Sequence, residues 1–342
     1  MKMRENVSLA ELTTMRLGGL ARYVAEIDNE SDLVEAYHFA RENNLPTYIL
    51  GGGSNVIGRD EGFAGVILLN RMKGISVFES DAEKVRITAQ SGTRFGDLVE
   101  FSTKLWNGDS FGYSGIEALA EIPGSVGAAP VQNIGAYGQE IGDSLYRVGV
   151  YDTREQRFRQ LTKAQLGLGY RRSIFNHGAE IGRYFITNVT VELSKKWMEP
   201  PFYNSLQAYF NEHNIADLTP AIIRKAVSDI RSRKLPDPRW VASSGSFFKN
   251  IYLDPEAAEA ARERGIPVFD NGKVAAGWLI ENAGLKGCDF YGMRVSEDAA
   301  LVLINERAKS YADLARARAA IVAQVYDKFG LTLEQEPVEI GG

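Results

Sequence analysis

The chain has 342 residues, of which 44% are hydrophobic, and these values are typical of a globular protein with two or three domains. Its net charge of −5, without any basic block, argues against nucleic acid as the main partner. One cysteine, Cys288, excludes an internal disulfide and a cysteine-based zinc site, and the three histidines are scattered, so we expect no structural metal. Without a signal-peptide pattern or a bilayer-length apolar run, we expect no membrane span and a cytoplasmic location.

The first segment, residues 17–70, alternates strand and helix signals. Apolar patterning predicts a strand over residues 21–27, a helix over residues 31–43 with Ser31 as its N-cap, and further strands over residues 46–50 and 66–70. Because strands and helix alternate within a short stretch, we expect a small α/β unit here.

A glycine-rich stretch follows the second of these strands. Residues 48–57 read YILGGGSNVI, in which an apolar run ends in Gly51, Gly52 and Gly53, followed by Ser54 and Asn55. Glycines let the backbone turn successive N–H groups inward, so such a turn binds a phosphate without a cationic side chain. We call this stretch the phosphate cradle. A plain glycine-rich connection between strands is the alternative, and the motif alone does not decide between them.

Two familiar phosphate motifs do not match the phosphate cradle. No lysine follows Gly53, so a P-loop has little support. Residues 56–60 read as a loop toward the next strand, whereas a dinucleotide fingerprint of the GxGxxG type opens a long helix. The phosphate cradle is therefore expected in a different fold.

A second tract of small residues occupies the middle of the chain. After a predicted strand over residues 84–90 and a helix, residues 110–143 are crowded with glycine and alanine. This composition disfavours regular structure, and long irregular segments are usually functional, although a surface loop is the plain alternative. A pyrophosphate in the phosphate cradle and the remainder of a dinucleotide along this tract would together bind an extended cofactor.

Six motifs occur in order over nearly the whole chain: GGGSNV, IPGSVGAAPVQNIGAYG, GYRRSIF, KLPDP, GSFFKN and AAGWLI. Together they resemble the UDP-N-acetylenolpyruvoylglucosamine reductases of type I, FAD enzymes of peptidoglycan precursor synthesis. The resemblance implies an α+β fold, with a vanillyl-alcohol-oxidase-like FAD-binding domain of two α/β subdomains and a C-terminal α+β substrate-binding domain.

The resemblance also implies domain boundaries. The first FAD-binding subdomain would cover residues 1–70, and the second residues 71–219, with a tyrosine-bearing loop inserted at about 197–219. A predicted helix at the start of residues 220–330 would lead into the substrate-binding domain, and residues 331–342 would form a tail that returns to the active site.

In this family, a hydride passes from NADPH to FAD and then to the terminal enolpyruvyl carbon of the UDP-sugar substrate. By motif, the residues expected to contact FAD, largely through main-chain N–H groups, are Gly51, Gly52, Gly53, Ser54, Asn55, Pro123, Gly124, Ser125, Gly127, Ala128, Ile134, Gly135, Ala136 and Tyr137. Neither tract contains a histidine that could tether the flavin, so we expect bound but not covalent FAD.

Three residues match the family's catalytic positions. Arg171, in GYRRSIF, and Glu336, in LEQEP, would stabilise the enolate that forms when the hydride arrives. A glutamate helps there only if it is protonated or bridged by water. Ser246, in GSFFKN, would protonate the neighbouring carbon, and Phe247 with Phe248 would exclude water. Without the resemblance, surface ion pairs and a turn-capping serine explain these residues.

Substrate contacts are implied for four further residues. Lys234, in KLPDP, and Asn250, in FFKN, would lie near the UDP pyrophosphate, and Tyr170 would also contact substrate. Tyr203, in the insertion, would close over the nucleotide, with simple packing on a helix as the alternative. Residues 295–299 read VSEDA where members often carry histidine and glutamine, which puts a glutamine contact there in doubt.

Two other functions stay open at this point. One is a different FAD-dependent oxidoreductase of the same class, such as a sugar oxidase that uses oxygen. The other is a nucleotide-sugar binding module, which would lack stoichiometric flavin. The oligomeric state is also open, with a monomer favoured.

Overall fold

A computed structural model describes residues 1–108 and 110–341, and within them strands and helices are mixed along the whole chain. The strands are β1 (Lys2–Ser8), β2 (Leu20–Ile27), β3 (Thr47–Leu50), β4 (Val56–Gly58), β5 (Phe63–Asn70), β6 (Ile75–Ser80), β7 (Lys84–Gln90), β8 (Gly135–Ala136), β9 (Gln139–Glu140), β10 (Leu145–Asp152), β11 (Arg157–Thr162), β12 (Tyr184–Ser194), β13 (Ser243–Ser246), β14 (Ile251–Tyr252), β15 (Lys273–Val274), β16 (Asp289–Phe290), β17 (Met293–Val295), β18 (Val302–Asn305) and β19 (Val338–Ile340).

The α-helices are α1 (Leu9–Leu12), α2 (Glu30–Glu42), α3 (Phe95–Lys104), α4 (Ile141–Ser144), α5 (Asn204–Glu212), α6 (Pro220–Lys234), α7 (Pro255–Glu263), α8 (Ala276–Asn282) and α9 (Tyr311–Phe329). Short 3₁₀ turns cover Glu117–Leu119, Val126–Ala128 and Lys163–Leu166. Within the described part of the chain, every helix is too short or too polar to cross a membrane.

The chain forms two compact units, each built from separate stretches of sequence. Unit 1 consists of Met1–Arg4, Tyr23–Gly52 and Gly65–Ser232. Unit 2 consists of Glu5–Arg22, Gly53–Ala64 and the chain from Arg233 to the C-terminus.

The first sheet of unit 1 has the strand order β1-β2-β5-β3. Strands β3 and β5 are parallel, with Thr47 opposite Val66. Helix α2 buries one face against this sheet, as its periodicity predicts. The N-cap is Asn29, whose side-chain oxygen accepts from the Asp32 N–H at 3.0 Å, so the expected cap at Ser31 is wrong. Asparagine is an equally good cap, and it lies two residues earlier.

The second sheet of unit 1 is antiparallel, in the order β11-β10-β12-β7-β6. Strand β7 covers the predicted residues, and it pairs with β12 so that Thr88 lies opposite Thr190. Its apolar face packs on α3 through buried residues that include Phe95 and Leu98. The expected irregular tract follows α3 and contains only short turns, two-residue strands and the four-residue helix α4.

The insertion after β12 is not a plain loop, because it contains helix α5. Leu206 and Phe210 are four residues apart, so they share one face of the helix, and both are buried in the unit 1 core. The tyrosine-bearing insertion expected over residues 197–219 therefore includes a helix.

Unit 2 is built around the sheet β13-β18-β17-β16 and helices α8 and α9. The spacing of apolar residues predicts a helix over residues 310–329, and α9 starts at its Ser310 N-cap and buries Leu314, Ile321 and Val325 along one stripe. Residues 56–58, expected in a loop, instead form β4, which pairs in parallel with β19. This pairing comes from a distant segment, so no local pattern could reveal it.

Candidate active site

The first two glycines of the phosphate cradle pack directly on the second small-residue tract within unit 1. A Cβ atom added at Gly51 would lie 2.5 Å from Ser125 Oγ, and one added at Gly52 would lie 3.1 Å from Gly124 Cα. Both distances are shorter than ordinary van der Waals contacts. The structure therefore brings together the two tracts that the sequence singled out, and their contact requires residues without side chains.

Gly53, in unit 2, is held by a different constraint. Its φ is +66°, in the left-handed region, and a Cβ atom there would lie 2.0 Å from the Leu12 carbonyl oxygen. The Gly53 carbonyl accepts a hydrogen bond from the Thr14 N–H at 3.0 Å. On the following residues, the Asn55 carbonyl accepts from the Val338 N–H at 3.0 Å. Residues 53–55 are thus fixed by backbone contacts on both sides.

The second tract holds its shape through its own amides. The N–H groups of Gly127, Ala128 and Ile134 donate to the carbonyls of Ser91, Ser125 and Ala129 at 2.8, 3.0 and 3.1 Å. Strands β8 and β9 then form a two-residue hairpin. These three amides are engaged within the protein, so a cofactor would meet this part of the tract by close approach more than by main-chain hydrogen bonds.

A half-buried arginine that the sequence analysis missed lies beside the tract. Arg231, on α6, hydrogen-bonds to the Tyr137 hydroxyl, and burial lowers the pKa of its guanidinium. Burial likewise raises the pKa of Tyr137. The Tyr137 ring meets the Tyr203 ring edge-on at 5.8 Å, and Tyr203 is 49% exposed. The sequence signal that could have identified Arg231 was a cationic residue on the apolar side of a helix, next to Ile230.

Arg171 lies in a tight turn with a strained backbone. Gly169 and Arg172 exchange backbone hydrogen bonds at 3.0 and 3.1 Å, and Arg171 between them has a φ of +52°. Left-handed backbone at a residue other than glycine costs about 1–3 kcal/mol and is often found at functional sites. The Arg171 guanidinium lies 5.2 Å from the centre of the Tyr170 ring.

The turn that carries Arg171 is tied to the second tract. Asn133 Nδ2 donates to the Gly169 carbonyl at 3.2 Å, and Ser173 Oγ donates to the Val131 carbonyl at 2.7 Å. Asn176 Nδ2 donates to the Arg171 carbonyl at 3.0 Å. In unit 1, the structure therefore brings Arg171 and Tyr170 to the same loop cluster as the tract expected to contact FAD.

Ser246 and Glu336 are brought together in unit 2. Ser246 ends β13, half-buried, after Gly245, and Phe247 and Phe248 behind it are almost fully buried. The Glu336 N–H donates to the Phe247 carbonyl at 2.9 Å, so the tail lies antiparallel to the residues that follow Ser246. Two of the three predicted catalytic residues therefore lie on adjoining backbone segments.

Lys234, Asn250 and residues 295–299, which were also considered as substrate contacts, lie in unit 2. Lys234 is the last residue of α6 and is exposed. The Asn250 side-chain oxygen accepts from the Ala276 N–H at 3.1 Å, which caps the start of α8 and gives Asn250 a structural role in unit 2. Residues 295–299 form a turn in which Ser296 Oγ accepts from the backbone N–H of Asp298 at 3.3 Å.

The residues present fit a dinucleotide cofactor. The glycine contacts at Gly51 and Gly52 leave backbone without side chains where a pyrophosphate is expected. In unit 1, the buried guanidinium of Arg231 provides a positive charge that an anionic or electron-rich ring edge would complement. Across the described residues, no group of histidine, cysteine and acidic side chains is arranged to hold a metal ion.

Comparisons with known proteins agree with this arrangement. A family described as "FAD binding domain" matches residues 21–155, and one described as "UDP-N-acetylenolpyruvoylglucosamine reductase, C-terminal domain" matches residues 237–340. The chain is 35% identical to the UDP-N-acetylenolpyruvoylglucosamine reductase of Aliivibrio fischeri, with 98% of this chain and 94% of that protein covered. It is 37% identical to the enzyme of the same name from Ralstonia nicotianae, with 97% of each chain covered.

A solved structure shows the same fold. The UDP-N-acetylenolpyruvylglucosamine reductase of Thermus caldophilus superposes with a TM-score of 0.66 at 24% identity, covering 99% of this chain and all of the other.

Proposed function

Because the chain belongs to the UDP-N-acetylenolpyruvoylglucosamine reductase family and is an FAD-dependent oxidoreductase, we propose that it uses NADPH to reduce UDP-N-acetylglucosamine enolpyruvate to UDP-N-acetylmuramate, a peptidoglycan precursor. The observation that supports the proposal is the hydrogen bond from the Glu336 N–H to the Phe247 carbonyl, which joins the tail to the backbone segment directly after Ser246. When bound, FAD would supply the two-electron redox chemistry, with NADPH as the hydride donor and the terminal enolpyruvyl carbon as the acceptor.

Two groups are proposed to hold the cofactor. In unit 1, Gly51 and Gly52 with the Gly124–Ser125 turn would accept the pyrophosphate region, because their contacts exclude side chains. Tyr137 and Arg231 would bind an electron-rich edge of the ring system. Neither the phosphate cradle nor the second small-residue tract contains a histidine that could form a covalent link to the flavin, which supports non-covalent binding.

Negative charge develops on the substrate as the hydride arrives. The terminal carbon gains the hydride, and the electron pair of the double bond moves toward the carboxylate to form an enolate. Arg171 would bind the carboxylate with its planar guanidinium, presented from a turn in which its own backbone is left-handed. Glu336 would contribute a hydrogen bond to the same anion, which requires its carboxyl to be protonated or bridged by water.

Protonation of the adjacent carbon completes the reduction. Ser246 would donate its hydroxyl proton to that carbon, so that hydride plus proton add two hydrogens across the double bond. Phe247 and Phe248 are 0% and 3% exposed and pack edge-on at 5.0 Å, which keeps water away from the back of this site. The serine would recover its proton from water or a neighbouring acid.

The UDP part of the substrate is proposed to meet four residues. Lys234 would pair with the pyrophosphate as a point charge, and Asn250 would donate from its amide while its oxygen caps α8. Tyr203, half-exposed at the start of α5, and Tyr170 would contact the nucleotide and sugar. The exposure of Tyr203 supports this role, because it leaves the ring accessible, whereas Tyr209 on the same helix is buried and bonds to Asp229 at 2.6 Å.

Steady-state turnover tests the proposal. The purified flavoprotein should oxidise NADPH only when UDP-N-acetylglucosamine enolpyruvate is present, in a one-to-one ratio, and mass spectrometry should show a product heavier by two hydrogens. Peroxide formation with a sugar substrate and no need for NADPH would instead identify an oxidase. A protein without stoichiometric flavin would identify a binding module.

A further inference from the structure

The C-terminal tail of unit 2 is anchored by backbone hydrogen bonds on both sides of Glu336. Before it, the Lys249 N–H donates to the Glu334 carbonyl at 2.8 Å, and the Glu336 N–H donates to Phe247. After it, β19 pairs with β4 with Val338 opposite Val56. These backbone bonds set where the tail runs, and side-chain contacts add to them on either side of Glu336.

A single arginine reaches both ends of that stretch. Arg318 Nη1 donates to Gln335 Oε1 at 2.6 Å and to Glu339 Oε1 at 2.6 Å. Gln335 in turn donates from Nε2 to the Pro337 carbonyl at 2.7 Å. The contacts therefore fall on the residue directly before Glu336 and on the third residue after it. We call these three side chains, Arg318, Gln335 and Glu339, the tail clamp.

The tail clamp is partly shielded from water. The side chains of Arg318 and Glu339 are 29% and 25% exposed. Burial of the Glu339 carboxyl acts to raise its pKa, but hydrogen bonds from Tyr311 and Arg318 outweigh burial, and the pKa of Glu339 lies below its usual range. The pair is thus ionised on both sides at neutral pH, and charge-assisted hydrogen bonds of this kind are stronger than neutral ones.

Helix α9, which carries Arg318, is itself held at its N-terminus by a residue shortly after the phosphate cradle. Asp60, shortly after β4, accepts from the N–H groups of Tyr311 and Ala312 at 2.7 and 3.0 Å, at the positive end of α9. The buried stripe of α9 fixes the rotation of the helix. Arg318 therefore projects from a rigid element onto the tail, as a positioning residue requires.

We propose that Arg318 is a positioning residue for the reduction, which holds Glu336 in its working orientation by gripping Gln335 and Glu339. This inference rests on the proposed function, since it gives Arg318 a role only through Glu336. It predicts a defect confined to the step in which Glu336 acts, because Arg318 reaches the reaction only through the tail that carries Glu336.

A double-mutant cycle on the holoenzyme tests this role. In stopped-flow experiments, Arg318→Met should leave the reduction of the flavin by NADPH within about twofold of wild type, and should slow flavin reoxidation by substrate about 10- to 100-fold. Glu336→Gln should slow the same step. In the double variant, Arg318→Met should add less than about twofold to the effect of Glu336→Gln, because residues that act as a unit are not additive.

Arg316→Met is the matched control. Arg316 is on the same helix and pairs with Asp313 at 2.5 Å, but its side chain is 59% exposed and that pair does not include the tail. Its removal should leave both half-reactions unchanged. Hydrogen exchange gives a readout that does not depend on activity: amides of residues 331–341 should exchange faster in Arg318→Met and not in Arg316→Met.

The possible outcomes distinguish a failure of the positioning role of Arg318 from a failure of the proposed function. If Glu336→Gln is slow but Arg318→Met slows it further by its full factor, the positioning role is overturned and the proposed function stands. If Glu336→Gln reoxidises at the wild-type rate, the role of Glu336 fails, and that of Arg318 fails with it. Should Arg318→Met not fold, Glu339→Gln, which keeps the shape and removes one charge, is expected to show the same half-reaction selectivity with a smaller loss; equal slowing of both half-reactions would overturn the proposal.

Discussion

Replacing Gly53 by alanine should distort the phosphate cradle and weaken FAD binding. A left-handed φ of +66° costs an alanine about 1–2 kcal/mol, and the new Cβ would lie 2.0 Å from the Leu12 carbonyl oxygen. This distance is far inside van der Waals contact with backbone, which cannot rotate away as a side chain can, so residues 53–55 must move. We therefore expect the Kd for FAD to rise at least about tenfold, the equivalent of about 1.4 kcal/mol.

Gly178→Ala is the control that separates the steric clash of a new Cβ atom from the free-energy cost of a left-handed backbone. Gly178 has a φ of +83°, but a Cβ atom there would meet nothing within 4 Å. Flavin fluorescence on the apoprotein reconstituted with FAD gives both affinities, and thermal unfolding gives both stabilities. Gly178→Ala should lose stability and keep its FAD affinity within about twofold. Equal FAD affinities in the two variants would refute the assignment of Gly53 to the cofactor site.

Three other predictions concern chemistry, stability and substrate binding. Ser246→Ala should still allow NADPH to bleach the flavin but should slow reoxidation by substrate about 100-fold, measured by anaerobic stopped flow, because the proton donor is lost. Asp152→Asn should cost about 2 kcal/mol at neutral pH, measured by urea unfolding, because hydrogen bonds from Arg183 at 2.7 and 3.0 Å lower the pKa of Asp152 from 3.8 to about 2. Tyr203→Ala should raise KM for the UDP-sugar about tenfold and leave flavin reduction unchanged, since its exposed ring is proposed to contact the substrate and not the flavin.

Each of these predictions has a result that would contradict it. For Ser246, the control is Ser244→Ala on the same strand, and equal slowing of both half-reactions would contradict the proton-donor role. The stability that Asp152 adds is present above the pKa of the unfolded state and is lost as pH falls toward about 2. The difference in the free energy of unfolding between wild type and Asp152→Asn should therefore become smaller from about pH 4 downward. A gap that stays constant with pH would contradict the assigned cause. Unchanged KM in Tyr203→Ala would leave packing as the role of that ring.

Local patterns in the sequence predicted local structure well. The α+β fold class, with an FAD-binding domain of the vanillyl-alcohol-oxidase type and a C-terminal domain of the reductase type, is confirmed, as are the family and the FAD cofactor. Strand β7 and the buried stripe of α9 followed from periodicities of two and 3.6 residues. Helix α5 was missed, although Leu206 and Phe210 carried the same signal.

Contacts between distant segments could not be predicted in this way. The pairing of β4 with β19 and the bond between Glu336 and Phe247 join residues far apart in the chain, and no local period encodes such register. The buried setting of Arg231 and the tail clamp at Arg318 depend on the same long-range packing. The individual catalytic and substrate roles, which came from motif resemblance, stay predictions.

The most direct test of the central claim is the visible absorbance of the anaerobic flavoprotein during two additions. NADPH should bleach the flavin, and UDP-N-acetylglucosamine enolpyruvate should then restore its colour without oxygen. Recovery only on admission of air, with the substrate present, would contradict the proposed substrate, and a flavin that NADPH does not bleach would contradict the proposed hydride donor.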